Sequence, residues 1–257
     1  MAGVSCHFYF EYDMSIEIIP FERLLITFIP VALVIYLMFF WRLPYKKACY
    51  AIVRMLTQLM LIGYALIMIF NASNSWMTLG VLMSMVLASS WISLNTLTTT
   101  EQHNARKRDL FPLSLTAILL GGGTTFILVT QFVLVLDPWY LPRYTIPLAG
   151  MIFATSMTSI SLAGERLQAE LAQNKAYEQA RVTAYSTAMI PIINAMFAVG
   201  LVSLPGMMTG QILSGVSPFI AARYQIMVMC MLFSASGLSS AIFLTLVRKY
   251  FEKTESA

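Results

Sequence analysis

The sequence predicts an all-α, polytopic transmembrane helical bundle of about seven spans, and three observations carry that prediction. Mean hydropathy is +0.74. Of 257 residues, 58% are hydrophobic and only 11% charged, where a soluble domain carries about a quarter charged residues. The charges are bunched, and the gaps between bunches match the ~20 apolar residues a helix needs to cross a hydrocarbon core. The length fits one bundle, so residues 1–257 are read as a single transmembrane domain.

Residues 1–23 form an external N-terminal segment. It has no Lys or Arg before Arg23 and is acidic, so it is not a cleavable signal peptide. The first span is Leu24–Trp41, with Pro30 expected to kink it. The charge-free run from Arg54 to Glu101 is too long for one helix, and Asn71–Ser75 divides it into Ala51–Phe70 and Trp76–Leu97. Pro112–Leu136 and Tyr144–Ala163 are the fourth and fifth spans. Residues 164–184 are polar and helix-prone and are read as a cytoplasmic segment. The sixth span starts near Ala184 and breaks at Pro205-Gly206. The seventh runs from about Tyr224 to Val247, leaving a cytoplasmic tail, 248–257.

Charge sidedness supports this count. Arg42, Lys46, Lys47 and Arg54 group together; so do Arg106, Lys107 and Arg108; so do Arg166, Lys175 and Arg181; so do Arg248, Lys249 and Lys253. With seven spans all four groups fall on one side, which the positive-inside rule makes cytoplasmic, with the N-terminus outside. The net charge of +4 therefore belongs to the membrane flanks and does not indicate a nucleic-acid partner. A further crossing by Pro205–Ala222 would export the basic tail, so that stretch is re-entrant or lies at the outer interface.

The spans hold no Asp, Glu or Lys, and Arg54 lies close enough to the cytoplasmic end to snorkel. Carboxylate proton relays are thus excluded from the membrane. The polar residues there are neutral, among them Thr57, Gln58, Thr124, Thr125, Gln131, Thr155, Ser156, Thr158, Ser159, Asn194, Ser234 and Ser236, and they are expected to bond across helices.

Val199–Val228 holds four glycines, two prolines and the pair Met207-Met208, with no charge before Arg223. Non-helical backbone at membrane depth needs cover from protein or a water-filled cavity, and such breaks mark substrate paths in transporters. A helix end followed by an outer loop is the other reading. Methionine also reads two ways. Eighteen are present, and they either fill gaps between helices or supply thioethers to a soft metal ion.

Other motifs fail. Gly121-Gly122-Gly123-Thr124-Thr125 lacks the Lys and strand of a phosphate loop and suits close helix approach instead. Cys6, Cys49 and Cys230 are too scattered for a disulfide frame, and His7 and His103 are isolated. With no paired carboxylates and no His–Cys pair, the chain is not expected to be an enzyme and carries no catalytic residue.

The segment 164–184 alternates in sign through Glu170, Lys175, Glu178 and Arg181. It is either a solvated extension or a docking helix for a cytoplasmic partner. A transporter with neither ion-coupling carboxylates nor a nucleotide site must draw energy from elsewhere, and a partner ATPase pushing on this segment would supply it.

Three blocks carry a family resemblance. They are Arg54-x-x-x-Gln58-Leu59-x-x-x-Gly63-Tyr64; Pro147-Leu-Ala-Gly-Met-Ile152, reaching Met157; and Ile190-Pro191 followed by Val199–Leu213 and Arg223-Tyr-Gln-Ile-Met-Val228. In these blocks the chain resembles the Fet-type metal-export ABC permeases, bacterial iron exporters whose plant relatives are linked to aluminium tolerance. The resemblance implies an inner-membrane permease, a homodimer in lipid, that works with two copies of a separate ATP-binding subunit to export a metal ion, iron foremost. ATP and Mg would bind the partner, with no cofactor in this chain. It also implies a translocation path at Pro205, Gly206, Met207 and Met208, the two methionines being the metal-ligand candidates, with Gln211, Met151 and Thr155 beside them. Arg54 and Gln58, one turn apart, would anchor the second span near the entrance. Arg166, Glu170, Lys175, Glu178 and Arg181 would couple to the ATPase. Two departures stand out: the family's Leu-x-Leu-Gly-Ala-Ser/Thr-Pro turn is replaced by the shorter Leu171–Lys175 region, and a position often Asn in relatives is Thr155. Another metal or a small organic solute as cargo, and a non-transporting membrane scaffold, are the alternatives.

Overall fold

A computed structural model describes residues 19–72, 74–95, 97 and 103–255. The expected segment 1–23 therefore lies largely outside the described residues, as do residues 256 and 257 of the tail. Among the described residues the regular structure is helical, with one isolated bridge between Val199 and Ser203.

The chain divides into two compact units. One contains residues up to Leu66 together with Met207–Ala221. Here α1 (Phe21–Ile26) and α2 (Phe28–Phe40) make up the first span, and α3 (Tyr45–Ala72) carries the second. The break between α1 and α2 falls at Thr27. Pro30 causes it, since its ring displaces the carbonyl of Ile26 four residues earlier and offers it no N–H. No residue of α1 or α2 is buried.

The other unit, Ile67–Gly206 with Ala222–Ala257, holds the core. It comprises α4 (Ser75–Ser93), α5 (His103–Ala117), α6 (Thr124–Ile127), α7 (Pro142–Leu171), α8 (Tyr177–Ala198) and most of α10 (Pro218–Glu255). Two π-helical segments, Ile118–Gly123 and Leu128–Val133, flank α6 and continue the fourth span. The long helix α7 is the hub and packs along α8 and α4. Ile118, Ile152, Ile160, Leu167, Phe243 and Leu244 are almost fully buried around it.

Six helical stretches are long and apolar enough to cross a membrane. The 22-residue α8 is also of membrane length but opens on a polar turn, and it completes seven. The eight residues of α9 (Gly206–Leu213) rise about 12 Å and cannot cross a core about 30 Å thick. The chain is an integral membrane protein.

Two sequence expectations change. The sixth helix ends at Ala198 and not at Pro205. Gly200 takes φ +84°, a conformation that only glycine adopts without strain, and its N–H reaches Ser203 O at 3.0 Å to close the turn. Residues 164–184 are not one helix. The final turns of α7, the bend Ala172–Ala176 with Asn174 at φ 57°, and the first turns of α8 form a helical hairpin. At 30 residues α7 is about 45 Å long, so its end past Gly164 projects beyond the hydrocarbon.

Candidate functional site

One end of the core unit gathers its charge. Ser161 Oγ donates to Ser93 O at 2.8 Å, and Gln168 Nε2 donates to Leu97 O at 3.1 Å, joining the end of α4 to the end of α7. Lys107 donates to Asn95 Oδ1 at 2.6 Å and lies 4.2 Å from the centroid of the Trp91 ring, so the start of α5 is at the same end. Three of the four basic groups thus share one face of this unit.

At that end the five predicted coupling residues form two ion clusters. Glu170 is 1% exposed and lies between Arg166, one turn back on α7, and Lys175 in the bend. The Lys175 hydrogen bond, aided by both positive charges against an opposing desolvation cost, holds the Glu170 carboxyl below its ordinary value. Glu178 takes Arg181 Nη2 at 2.6 Å and Arg248 Nη1 at 2.9 Å. Tyr177 adds a hydroxyl bond to the Leu244 carbonyl. The start of α8 is therefore clamped to the end of α10. Beside the clamp a cavity of about 260 Å³ is lined by Arg181, Val182, Tyr185, Ala241, Leu244 and Thr245. Sequence reading missed Arg248 because a partner 70 positions away leaves no local pattern.

The predicted path residues divide between the units. Met207, Met208 and Gln211 are half-buried on α9, and Gln211 Oε1 is enclosed without a hydrogen-bond partner. Arg54 and Gln58 belong to the same unit and are exposed, one turn apart on α3. Met151 and Thr155 are half-buried on α7 of the core unit, four residues apart and so on one helix face. Pro205 and Gly206 close that unit's side of the break, where Leu201 and Val202 are 91% and 84% exposed. Among the described residues no three His, Cys, Asp or Glu side chains converge as a metal site.

Hydroxyls fill the interior where carboxylates are lacking. Ser159 pairs with Ser236, and Ser239 Oγ donates to Ser156 Oγ at 3.0 Å, joining α7 to α10. Ser93 and Ser114 pair at 2.7 Å between α4 and α5. These are the cross-helix contacts expected of neutral polar groups in lipid. Ser93, Ser114 and Ser239 were not singled out from sequence, although Ser89, Ser90 and Ser93 repeat at helical spacing. The backbone of α10 approaches the glycine run so closely that a Cβ on Gly121 would lie 2.5 Å from Ser239 N.

These features define a polytopic helical membrane protein with a charged, clamped hairpin at one end and helices joined in the interior by serine hydroxyls. The chain belongs to the uncharacterised protein family UPF0014, whose family model matches residues 21–251. It is 36% identical over 218 residues to the UPF0014 membrane protein slr1647 of Synechocystis, covering 78% of this chain and 81% of that one. It is 31% identical to the probable iron export permease protein FetB of Escherichia coli, covering 77% and 78%. With the protein ALUMINUM SENSITIVE 3 of Arabidopsis thaliana it shares 32% identity over 74% and 72% of the two chains. No solved structure matches.

Proposed function

We propose that this chain is the permease subunit of an ABC-type exporter in the bacterial inner membrane, moving a metal ion, iron foremost, out of the cytoplasm. The observation that carries the reading is the hairpin between α7 and α8, which projects past the membrane and is bonded to α10 through Glu178, Arg248 and Tyr177. A push on that hairpin reaches several spans at once. ATP and Mg are assigned to a separate ATP-binding subunit, because the chain offers neither a phosphate loop nor a carboxylate relay. The named role of the E. coli relative supports iron as cargo. Exposure of α1 and of most of α2 suits contact with lipid or with a second copy in a homodimer. The basic face of the core unit is assigned to the cytoplasm by the positive-inside rule.

On this reading Pro205, Gly206, Met207 and Met208 line or gate the path, Gln211, Met151 and Thr155 are lesser candidates for it, and Arg54 and Gln58 anchor α3 at the entrance. The test is to purify the chain from detergent-solubilised membranes and to assay the eluate for ATPase activity with and without iron. A co-eluting ATPase stimulated by iron is expected. An ATPase indifferent to iron keeps the permease and moves the cargo to another metal or a small organic solute. Absence of an ATPase shown to be present in the membranes overturns the reading in favour of a scaffold. Met207→Leu with Met208→Leu, which keeps bulk and removes sulfur, is expected to abolish metal resistance if the thioethers are ligands.

A further inference from the structure

The methionines of α10 sort by helix face and not by burial, since Met229 is 9% exposed and Met231 2%. Met229 is buried and packs with Met189 and Ile192, filling space between α8 and α10. Met227 and Met231 lie on a different face, with Cys230 beside them, and all three line a groove of about 350 Å³. The far wall of the groove comes from α6 and the π-helical turn Leu128–Val133. Helical registers of that kind are kept mostly at functional positions. Cys230 is a free, exposed thiol.

Positions 227, 230 and 231 are spaced i, i+3 and i+4, which places their side chains as neighbours on one surface. Across the groove the Thr124 hydroxyl donates to Leu120 O and the Thr125 hydroxyl to Gly121 O at 2.8 Å, which leaves their oxygens as hard, weakly basic neighbours of the sulfurs. No carboxylate or imidazole lines the groove. Met227, Cys230 and Met231 supply two thioethers and one thiol from one helix, facing the hydroxyls of Thr124 and Thr125 with Ser234 alongside, and the sulfur set favours soft cations over hard ones. The surrounding medium selects the charge. One thiolate with one monovalent cation is neutral, whereas a divalent ion would leave a net positive charge in an apolar setting, at a large desolvation cost.

We propose that Met227, Cys230 and Met231 form a three-sulfur site for a soft monovalent cation of the copper(I) class. On binding, the Cys230 S–H releases its proton to water, the resulting thiolate and the two thioether lone pairs bond the metal, and no electron is transferred. The site does not depend on iron being the cargo, and it is tested by binding rather than by transport.

The experiment uses the purified full-length protein carrying Cys6→Ser and Cys49→Ser, titrated with silver(I) in detergent without thiol reductants. One silver per chain is expected, with a sulfur-only first shell by X-ray absorption. Cys230→Ser should abolish binding, and Met227→Leu and Met231→Leu should each weaken it at least about tenfold, the loss a single ligand-supporting group typically causes. Met229→Leu, which alters the methionine on the opposite face of α10, should bind as the parent does. Gel filtration of each variant separates lost binding from lost fold. No binding by the parent overturns the site. So does unchanged affinity in both Met227→Leu and Met231→Leu, which would reduce it to an adventitious thiol.

Discussion

Arg248 Nη1 lies 2.9 Å from Glu178 Oε1, a bond between the C-terminal turns of α10 and the first turn of α8. Both side chains are about half exposed, so the pair contributes under about 1 kcal/mol to stability. Its consequence is expected in coupling. Arg248→Gln should leave the melting temperature within a few degrees of wild type and, on the proposed permease function, lower the cargo-stimulated activity of a co-purifying ATPase. The swap Glu178→Arg with Arg248→Glu should restore part of that activity. Equal loss in the single and swapped proteins would show that the bond plays no part.

Glu170 supplies a pH prediction. Its carboxyl is held below the ordinary value of 4.5, chiefly by the Lys175 hydrogen bond. A depressed carboxylate contributes stability that is fully present above the unfolded-state value and is lost as pH falls through the folded-state value. Wild-type protein in detergent should therefore begin to lose thermal stability below about pH 4.5, and Glu170→Gln should lose less across that acid range. At neutral pH, where the Glu170 contribution is present in full, the variant should be the less stable protein, because Arg166 and Lys175 then face an uncharged amide. Parallel melting curves at both pH values would remove Glu170 from this role.

Much of the bundle is legible in the sequence, because lipid forces each span to be apolar for its whole length. The spans at Ala51–Phe70 and Tyr144–Ala163 fall on helices, and Trp76–Leu97 does so up to Ser93, where α4 ends four residues before the expected boundary. What local pattern cannot show is the partner across space. The π-helical turns at Ile118–Gly123 and Leu128–Val133 lie in unbroken apolar sequence, and their register is a matter of packing. The hairpin bend was hidden because Ala172–Ala176 holds no Gly or Pro, and Asn174 takes the left-handed turn instead. The early end of α8 was masked by Pro205, the louder signal, although Gly200 is what terminates the helix.

Gly200 can be tested directly. Its φ of +84° costs an L side chain about 1–2 kcal/mol, yet an added Cβ meets nothing within 4 Å. Gly200→Ala should lower stability by that amount through backbone strain alone. Gly206, which also has open space but no positive φ, should accept Ala with little loss. Chemical unfolding in mixed micelles would check the difference. Similar losses at both positions would mean that the turn does not govern the effect.

The glycine run offers the sharpest contrast, since its three neighbours meet three different surroundings. A Cβ on Gly121 would lie 2.5 Å from Ser239 N and 2.8 Å from Ser239 Cα, main-chain atoms that cannot rotate away. On Gly122 the nearest atoms are the side chains of Ile152 at 3.1 Å and Ser156 at 3.2 Å, which have some room to give. On Gly123 nothing lies within 4 Å. Gly121→Ala must therefore push α10 away, at an overpacking cost of about 1–3 kcal/mol, and should disturb the Ser156–Ser239 bond as well. Gly123→Ala should be neutral or stabilising by up to about 1 kcal/mol, the ordinary helix preference for Ala over Gly. Gly122→Ala should fall between them. Unfolding measurements on the three variants give this ranking if the glycines serve close approach of α10, and a flat ranking would refute it.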